Sequence, residues 1–504
     1  MCQKYNFKII IGSISISLLL GLAGCGMTDG FTKNAMSALG AEQNEKTNQP
    51  ESGTEKEWQT QDSEEIQPDT EEIHPDTQQQ ENENALERAM EDALQFVTET
   101  SAKEFTASYP LDRVFLEWIS SEYGEECIVE IAKESRTFSP DPEIWYRLTG
   151  NSIHVLWLLY CRETGQRPEL LENVEWKECA SPEQVTLAFT GDINFSEGYP
   201  TTRHLDGCAN GIEDCFSEDL LELMRGMDIM MINNEFTYST RGEPLPGKTY
   251  TFRANPRRAA LLHTFGTDIA NLANNHVYDY GPDALLDTID ALDREGIPHV
   301  GAGANIEEAG KPYYFICNGR KIAIVSATQI ERSTNYTKEA TEDTPGVLKT
   351  LNPDRFVEVI EQADKRSDCV IAVVHWGTEG NSDYGQDQVK LARAFVDAGA
   401  DAIIGGHTHC LQGFEIMDGV PVIYSLGNFW FSSRTLDTGL AKVTMDRNGE
   451  LALSFIPCIQ EQFRTSLVKD EAETERIFSF LQKHSAKGTV LTEEGVVRQE
   501  QQEE

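Results

Sequence analysis

Hydrophobic and polar positions divide the chain into stretches of different period. From Ala85 to about Arg167 apolar residues recur at three- and four-residue steps, first as Leu86, Ala89, Met90, Ala93, Leu94 and Val97, then as Val114-Phe115 to Ile119 and Ile153 to Tyr160. That spacing keeps one helical face apolar and predicts a small all-α domain over 85–180. His154, beside Val155, Leu156 and Trp157, is expected to be a packed core histidine. After Val185 short aliphatic runs alternate with amphipathic stretches, the pattern of an α/β architecture whose sheets are covered on their faces. Strands are predicted at Val185–Thr190, Asp228–Ile232, Asp268–Leu272, Lys321–Ser326, Cys369–Val374, Ala402–Ile404 and Val420–Tyr424. Helices are predicted at Asp214–Arg225, Pro256–Phe265, Pro282–Glu295, Pro353–Lys365 and Gly385–Ala398, and a C-terminal helix with an acidic tail over 461–504.

The first residues follow a different logic. Lys4 and Lys8 precede an apolar run from Ile9 to Leu20 that closes on Leu22-Ala23-Gly24-Cys25. The run is shorter than the ~20 residues that cross a bilayer and has the basic, apolar, small-residue order of a secretory signal. Its last four residues resemble a bacterial lipobox, which implies lipidation of Cys25, with an uncleaved anchor as the alternative; either places the rest outside the cytoplasm. Residues 26–84 are acidic, rich in Gln, Thr and Asn, and nearly free of aliphatics, so they are expected to form a disordered tether. Within it Glu64-Glu65-Ile66-Gln67-Pro68-Asp69-Thr70 is followed by the near copy Glu71-Glu72-Ile73-His74-Pro75-Asp76-Thr77. Prolines and self-repelling charge suit such repeats to an extended spacer.

Composition then narrows the function. Among 504 residues, 84 Asp and Glu stand against 42 Lys and Arg, a formal net charge of −42. Such a surface repels a polyphosphate backbone, so general nucleic-acid binding is disfavoured, although a local cation or metal could still seat an anion. Of the 11 cysteines, two fall in the leader, leaving an odd number. Cys208 and Cys215 are close enough to bridge a loop, but no spacing matches a zinc knuckle or a CxxC redox site.

The candidate chemistry sits where the predicted strands end. Asp192 follows the first, Asn233-Asn234-Glu235 the second, Asn274-Asn275-His276 the third, His375 the run from Cys369, and His407-Thr408-His409 the run from Ala402. The carboxyl ends of strands are where open α/β sheets gather their sites. Any one of these residues alone is an ordinary turn or cap residue; their coincidence at five strand ends points to a site. Carboxylate, amide and imidazole donors without thiolate suit divalent manganese, iron, zinc or nickel. Six or more donors exceed one open tetrahedral ion and fit two ions roughly 3.5–4 Å apart, bridged by a carboxylate.

With those residues in place, Thr190-Gly191-Asp192-Ile193-Asn194, Asn233-Asn234-Glu235, Leu272-Ala273-Asn274-Asn275-His276 with Asp279 and Gly281, His375-Trp376-Gly377-Thr378-Glu379, Gly405-Gly406-His407-Thr408-His409 with Gln412, and Tyr424-Ser425-Leu426-Gly427-Asn428-Phe429 closely resemble the CapA family of capsule-synthesis proteins. The resemblance spans about 185–460. It implies a calcineurin-like metallophosphoesterase-type β-sandwich flanked by helices, and a role with poly-γ-glutamate capsules. It further implies that Asp192, Glu235, Asn275, His375, His407 and His409 surround one or two divalent metal ions. His276 becomes the general acid, and Asp279 either orients it or caps the next helix. Asn428 could reach substrate; Glu379 and Gln412 match the pattern without a role.

Two departures from the phosphoesterase pattern matter. Asn194 stands where those enzymes place a histidine, and Glu235 replaces their bridging aspartate. An amide oxygen binds more weakly than imidazole, so one of the two positions is expected to hold its ion loosely, and attack on an amide or isopeptide bond competes with phosphate-ester hydrolysis as the reaction. Lys248 and Arg253, between the second and third predicted strands, are expected to form a basic spot for a carboxylate or phosphate, or else an ordinary surface pair. Three readings follow: a membrane-anchored, extracytoplasmic CapA-like protein working on an anionic polymer with capsule-synthesis machinery, a secreted phosphoesterase without a capsule role, and a non-catalytic envelope scaffold.

Overall fold

The computed structural model describes residues 75–100, 111–137, 141, 143–332 and 336–500. Cys25, His74 and the tether up to that histidine lie outside the described residues. From Pro75 onward the chain is helical: Pro75–Thr100 runs through the last part of the stretch expected to be tether. Proline is tolerated in a first helical turn, and the polar segment is carried by an apolar stripe further along, where Ala89, Met90, Ala93 and Phe96 are buried. Helices Arg113–Tyr123, Glu125–Glu134, Ile144–Thr149 and Ile153–Thr164 complete a cluster with its own core, centred on Phe115, Trp145, Trp157 and Tyr160. Asp112 and Ser152 cap the helices that follow them, each accepting a backbone N–H. His154 sits on the last of these helices, where burial, reinforced by Lys321, holds its imidazole down at about 3.

Two sheets follow. One has seven strands in the order Val174–Lys177, Tyr313–Cys317, Arg320–Thr328, Cys369–His375, Ala402–Gly406, Val420–Ile423 and Phe414–Met417. The other has eight on its path or beside it: Arg464–Leu467, Leu451–Glu461, Leu436–Asp446, Gln184–Ile193, Ile229–Asn234, Ile269–Asn271 and His299–Val300, with Asn428–Trp430 also paired to Gln184–Ile193. Their inner faces share one core containing Leu187, Phe189, Ile229, Ile322, Ile324, Ile371 and Ile404. Helices Glu218–Arg225 and Pro282–Arg294 cover the outer face of the second sheet, and Asp354–Asp364 and Gln386–Asp397 that of the first. The architecture is thus the α/β sandwich flanked by helices, preceded by a small all-α part, that the sequence implied.

The details differ in instructive ways. Strands read as unbroken apolar runs were visible because both their faces are covered, as in Ile229–Asn234, buried at every position. The long antiparallel pair Leu436–Asp446 and Leu451–Glu461 gave no such run, since each strand has exposed or half-exposed positions among its buried ones. The segment Pro256–Phe265 winds as a tighter 3-10 helix, and the helix expected from Asp214 is a 3-10 turn, Gly211–Cys215, followed by a separate helix from Glu218. The C-terminal stretch forms the helix Glu471–Lys483, then a hairpin of Thr489–Leu491 with Val497–Gln499.

Candidate metal centre

Parallel strands from both sheets deliver the polar residues to one place. Asp192 lies near the end of Gln184–Ile193, Glu235 just past Ile229–Asn234, His375 ends its strand, and His407 and His409 follow Ala402–Gly406. Two glycines let the backbones close in. A Cβ on Gly191 would sit 2.0 Å from the Gly427 carbonyl oxygen, the same oxygen that accepts the Asp192 N–H at 2.8 Å. A Cβ on Gly405 would meet the Tyr424 oxygen at 2.1 Å. His407 and His409 both occupy the left-handed region, with φ of 95° and 58°. Non-glycine residues there carry a strain of about 1–3 kcal/mol each, which the surrounding structure must over-determine.

The side chains converge. Glu235, His375 and His407 present ligand atoms within 4.8 Å of one another, and so do Asp192, Glu235 and His409, with Glu235 common to both groups. His375 Nε2 lies 3.3 Å from Glu235 Oε1, 2.9 Å from Asn275 Oδ1 and 3.2 Å from His407 Nδ1. On the other side His409 Nδ1 lies 3.2 Å from Asp192 Oδ2. The cluster is almost wholly buried, and Asp192 Oδ2, both Glu235 oxygens and His375 Nδ1 find no hydrogen-bond partner. Buried carboxylate oxygens without donors are costly unless a cation satisfies them, so this donor set fits divalent ions.

Electrostatics point the same way. Burial, compounded by Asp192, pushes the Glu235 carboxyl well above its usual range. Burial acts on Asp192 as well, but His409, His375 and Asn233 more than offset it and leave that carboxyl below its usual value. Burial drives His375 down to about 3 and holds His407 well below the usual imidazole range, so both present neutral nitrogens, the form that ligates. Burial also opposes protonation of His409, yet its contact with Asp192 prevails and raises it.

Around this centre the structure distributes the other expected residues unequally. His276 Nδ1 lies 2.7 Å from Asp279 Oδ2, and Asp279 also accepts the Phe252 N–H at 2.7 Å. The next helix is capped at Gly281, so Asp279 orients His276 and leaves the cap alone. Burial lowers His276 despite Asp279. Asn428 Oδ1 lies 2.8 Å from His409 Nδ1 and holds that ring. Asn194 turns its amide oxygen to the Ser196 backbone N–H at 2.8 Å, away from ligand duty. Gln412 is a buried brace, accepting from Gln388 Nε2 and donating to the Asn381 carbonyl, while Glu379 is exposed.

The expected basic spot is otherwise employed. Lys248 is buried, with Nζ 2.7 Å from Asp279 Oδ1, 2.9 Å from Glu331 Oε1 and donating to the Asn275 carbonyl. Arg253 lies over the Tyr280 ring at 4.1 Å and donates to the Arg241 and Gly242 carbonyls. Lys248 is thus neutralised by two carboxylates, whereas Arg253, among the described residues, meets only carbonyl oxygens and an aromatic face. Sequence reasoning missed Glu331, far along the chain from Lys248, and the relay in which Asn271 donates to Asn233 at 2.9 Å and Asn233 to Asp192 at 2.6 Å. The one signal for that relay was that Asn233 and Asn271 close apolar strands.

Comparison with known proteins adds the following. A family profile described as bacterial capsule synthesis protein PGA_cap matches residues 186–433. The PGA biosynthesis protein CapA of Bacillus subtilis (strain 168) is 30% identical over 312 residues, 60% of this chain and 80% of the relative. The capsule biosynthesis protein CapA of Bacillus anthracis is 33% identical over 336 residues, 64% of this chain and 79% of the relative. A solved 5'-nucleotidase from Candida albicans SC5314 overlaps 56% of this chain and 53% of its own at 11% identity, with a TM-score of 0.30.

Proposed function

This chain belongs to the bacterial capsule synthesis protein family, and on that premise we propose that it serves the synthesis, transport or attachment of an anionic capsule polymer of the poly-γ-glutamate class, using the strand-end cluster as a divalent-metal hydrolytic site. The printed names of the two Bacillus relatives support the polymer class. The observation that carries the site is that Glu235, neither of whose buried oxygens has a hydrogen-bond donor, is shared between two ligand groups. Asp192 and His409 would hold one ion, His375, His407 and Asn275 the other, with Glu235 between them. A divalent ion there supplies a polarised substrate oxygen and an acidic water at neutral pH.

The chain's own residues do the rest. Asp279 fixes the Nδ1 side of His276, which leaves Nε2 as the atom that takes or returns the proton of the departing group. Lys248 holds Asp279 in turn, and is itself paired with Glu331. Asn428 and Asn233 keep His409 and Asp192 in their rotamers, the orienting task that partners of metal ligands perform. The ions are of the manganese, iron or zinc type. Because Asn275 contributes an amide oxygen and Asn194 contributes nothing, one position binds more weakly than the other. The leader's pattern supports anchoring through a lipid on Cys25, outside the cytoplasm, beside the membrane machinery that makes the polymer.

The test uses the purified full-length protein with manganese, offered poly-γ-glutamate and, separately, generic phosphomonoesters and phosphodiesters. Shortening or transfer of polyglutamate, lost in His276→Ala, is the expected result. Cleavage of phosphate esters alone would make the protein a phosphoesterase without a capsule role, and encapsulated cells indifferent to His407→Ala would make it a scaffold.

A further inference from the structure

Outside the strand-end cluster the described residues contain one further convergence of metal-binding side chains. His204, at the last turn of the helix Pro200–Leu205, Cys208 in the turn after it, and Cys215, closing the 3-10 turn Gly211–Cys215, bring a ring nitrogen and two sulfurs within 4.8 Å of one another. The two sulfurs are 4.0 Å apart. None of these residues belongs to the centre described above.

We propose that His204, Cys208 and Cys215 form a thiolate-bearing site for zinc. Two sulfurs and one imidazole are the donor types that select zinc over the harder ions suited to a carboxylate-rich centre. The sulfur separation is close to what two ligands about 2.3 Å from one ion span, so only a small closure is required. The surroundings leave the donors available. Among the described residues neither ring nitrogen of His204 has a hydrogen-bond partner; the ring stacks on Phe463 with centroids 5.0 Å apart, which fixes its plane. Among the described residues the polar contacts of the Cys208 sulfur are the His204 carbonyl at 3.3 Å and the other sulfur. Cys215 is fully buried beside Phe216 in the apolar core, where its thiol has no other polar partner.

The loop is also held for the purpose. Asn210 donates to both Asp214 oxygens, by its backbone N–H at 3.0 Å and its side chain at 2.9 Å. That fixes the turn between the two cysteines and takes the nearest carboxylate out of contention as a ligand. His204 opens on a surface cavity of about 540 Å³ that Arg464 and Lys469 also line. The fourth position of a tetrahedral ion is thus left to water, and the cavity gives the ion its way in. On binding, each thiol releases its proton and the sulfur becomes a ligand, so zinc uptake liberates protons. A bound ion would clasp the helix ending at Leu205 to the turn at Cys215. That turn itself is tied to the strand Arg464–Leu467, because Ser217 N–H donates to the Thr465 carbonyl at 3.0 Å.

Cobalt(II) is the probe, because thiolate-to-cobalt charge transfer in the near ultraviolet reports sulfur ligation and the strand-end centre contains no sulfur. Full-length protein, reduced and then freed of reductant, should develop that band on cobalt titration and lose it when zinc is added. Cys208→Ser and Cys215→Ser should each abolish the band, while undiminished manganese uptake by the strand-end centre shows that the variants are folded. His204→Ala should weaken zinc binding at least about tenfold, no less than losing an outer-shell partner costs. A folded, fully reduced wild type without the band overturns the proposal, as does a Cys208–Cys215 disulfide that re-forms in the presence of zinc, or a His204→Ala variant that binds zinc as well as wild type.

Discussion

Lys248→Met tests whether the buried lysine is a brace or an anion seat. Its side chain is 6% exposed and that of Asp279 0%, with 2.7 Å between the charged atoms. Two unit charges at that separation attract by about 6 kcal/mol at an effective dielectric near 20. Desolvation cancels part of this in the intact pair, but removing one partner exposes the other as an uncompensated buried charge, at a cost of about 3–5 kcal/mol. Glu331, at 20% exposure, can turn to water and adds little. Lys248→Met should therefore lower the unfolding free energy by about 3–5 kcal/mol. Adding Asp279→Asn should recover part of that loss, because no stranded carboxylate remains. The assay is guanidinium unfolding of full-length protein followed by tryptophan fluorescence, on wild type, both single variants and the double variant. Losses that sum to within about 0.5 kcal/mol would mean the two residues are uncoupled and would refute the brace. So would a Lys248→Met variant of unchanged stability that has lost only its response to added anions.

Two further perturbations follow from the same kind of reasoning. Lys321 lies over the Tyr314 ring at 4.0 Å, and burial, against the pull of Asp368, lowers its ammonium to about 7. Its unfolded value lies near 10.5, so between these two the unfolded chain binds the extra proton and stability rises with pH. Lys321→Met should remove a pH-dependent penalty of up to about 5 kcal/mol near pH 6, offset in part by the lost contact with the Tyr314 ring, with the gain vanishing toward about pH 10; a gain independent of pH in thermal unfolding would contradict the assignment. Gly191→Ala drives a methyl into the Gly427 carbonyl and displaces the backbone of Asp192. It should cost at least about 3 kcal/mol and reduce manganese uptake, and a variant with wild-type Tm and metal content would show that the close approach is dispensable.

How much of this was legible beforehand depended on what each residue needs. Asp192, Glu235, His375, His407 and His409 could be read because they terminate covered strands, whose apolar runs are plain in one dimension. The Asp279–His276 pairing could be read as one of two options because its members are three residues apart, so a turn brings them together. Lys248 and Glu331 could not, since their pairing depends on how a loop between strands folds back. The contact of Asn428 with His409 has no signal in one dimension, because it depends on the long-range strand pairing of Asn428 with Asp192. The helix from Pro75 was hidden by its own polarity, which composition alone assigns to solvent. The thiol pair was visible as two neighbouring cysteines; the third donor, His204, joins them only once the helix end and the 3-10 turn are placed in space.

The claim on which the rest stands is that Glu235 joins two ligand groups into one centre. Manganese binding to full-length protein, measured by calorimetry and by metal content after gel filtration, tests it most directly, since manganese is a poor ion for the thiol site. The account predicts that Glu235→Gln removes more manganese than Asp192→Ala or His407→Ala does singly, while His276→Ala leaves uptake intact. A Glu235→Gln protein that is folded and binds manganese as wild type does would contradict it.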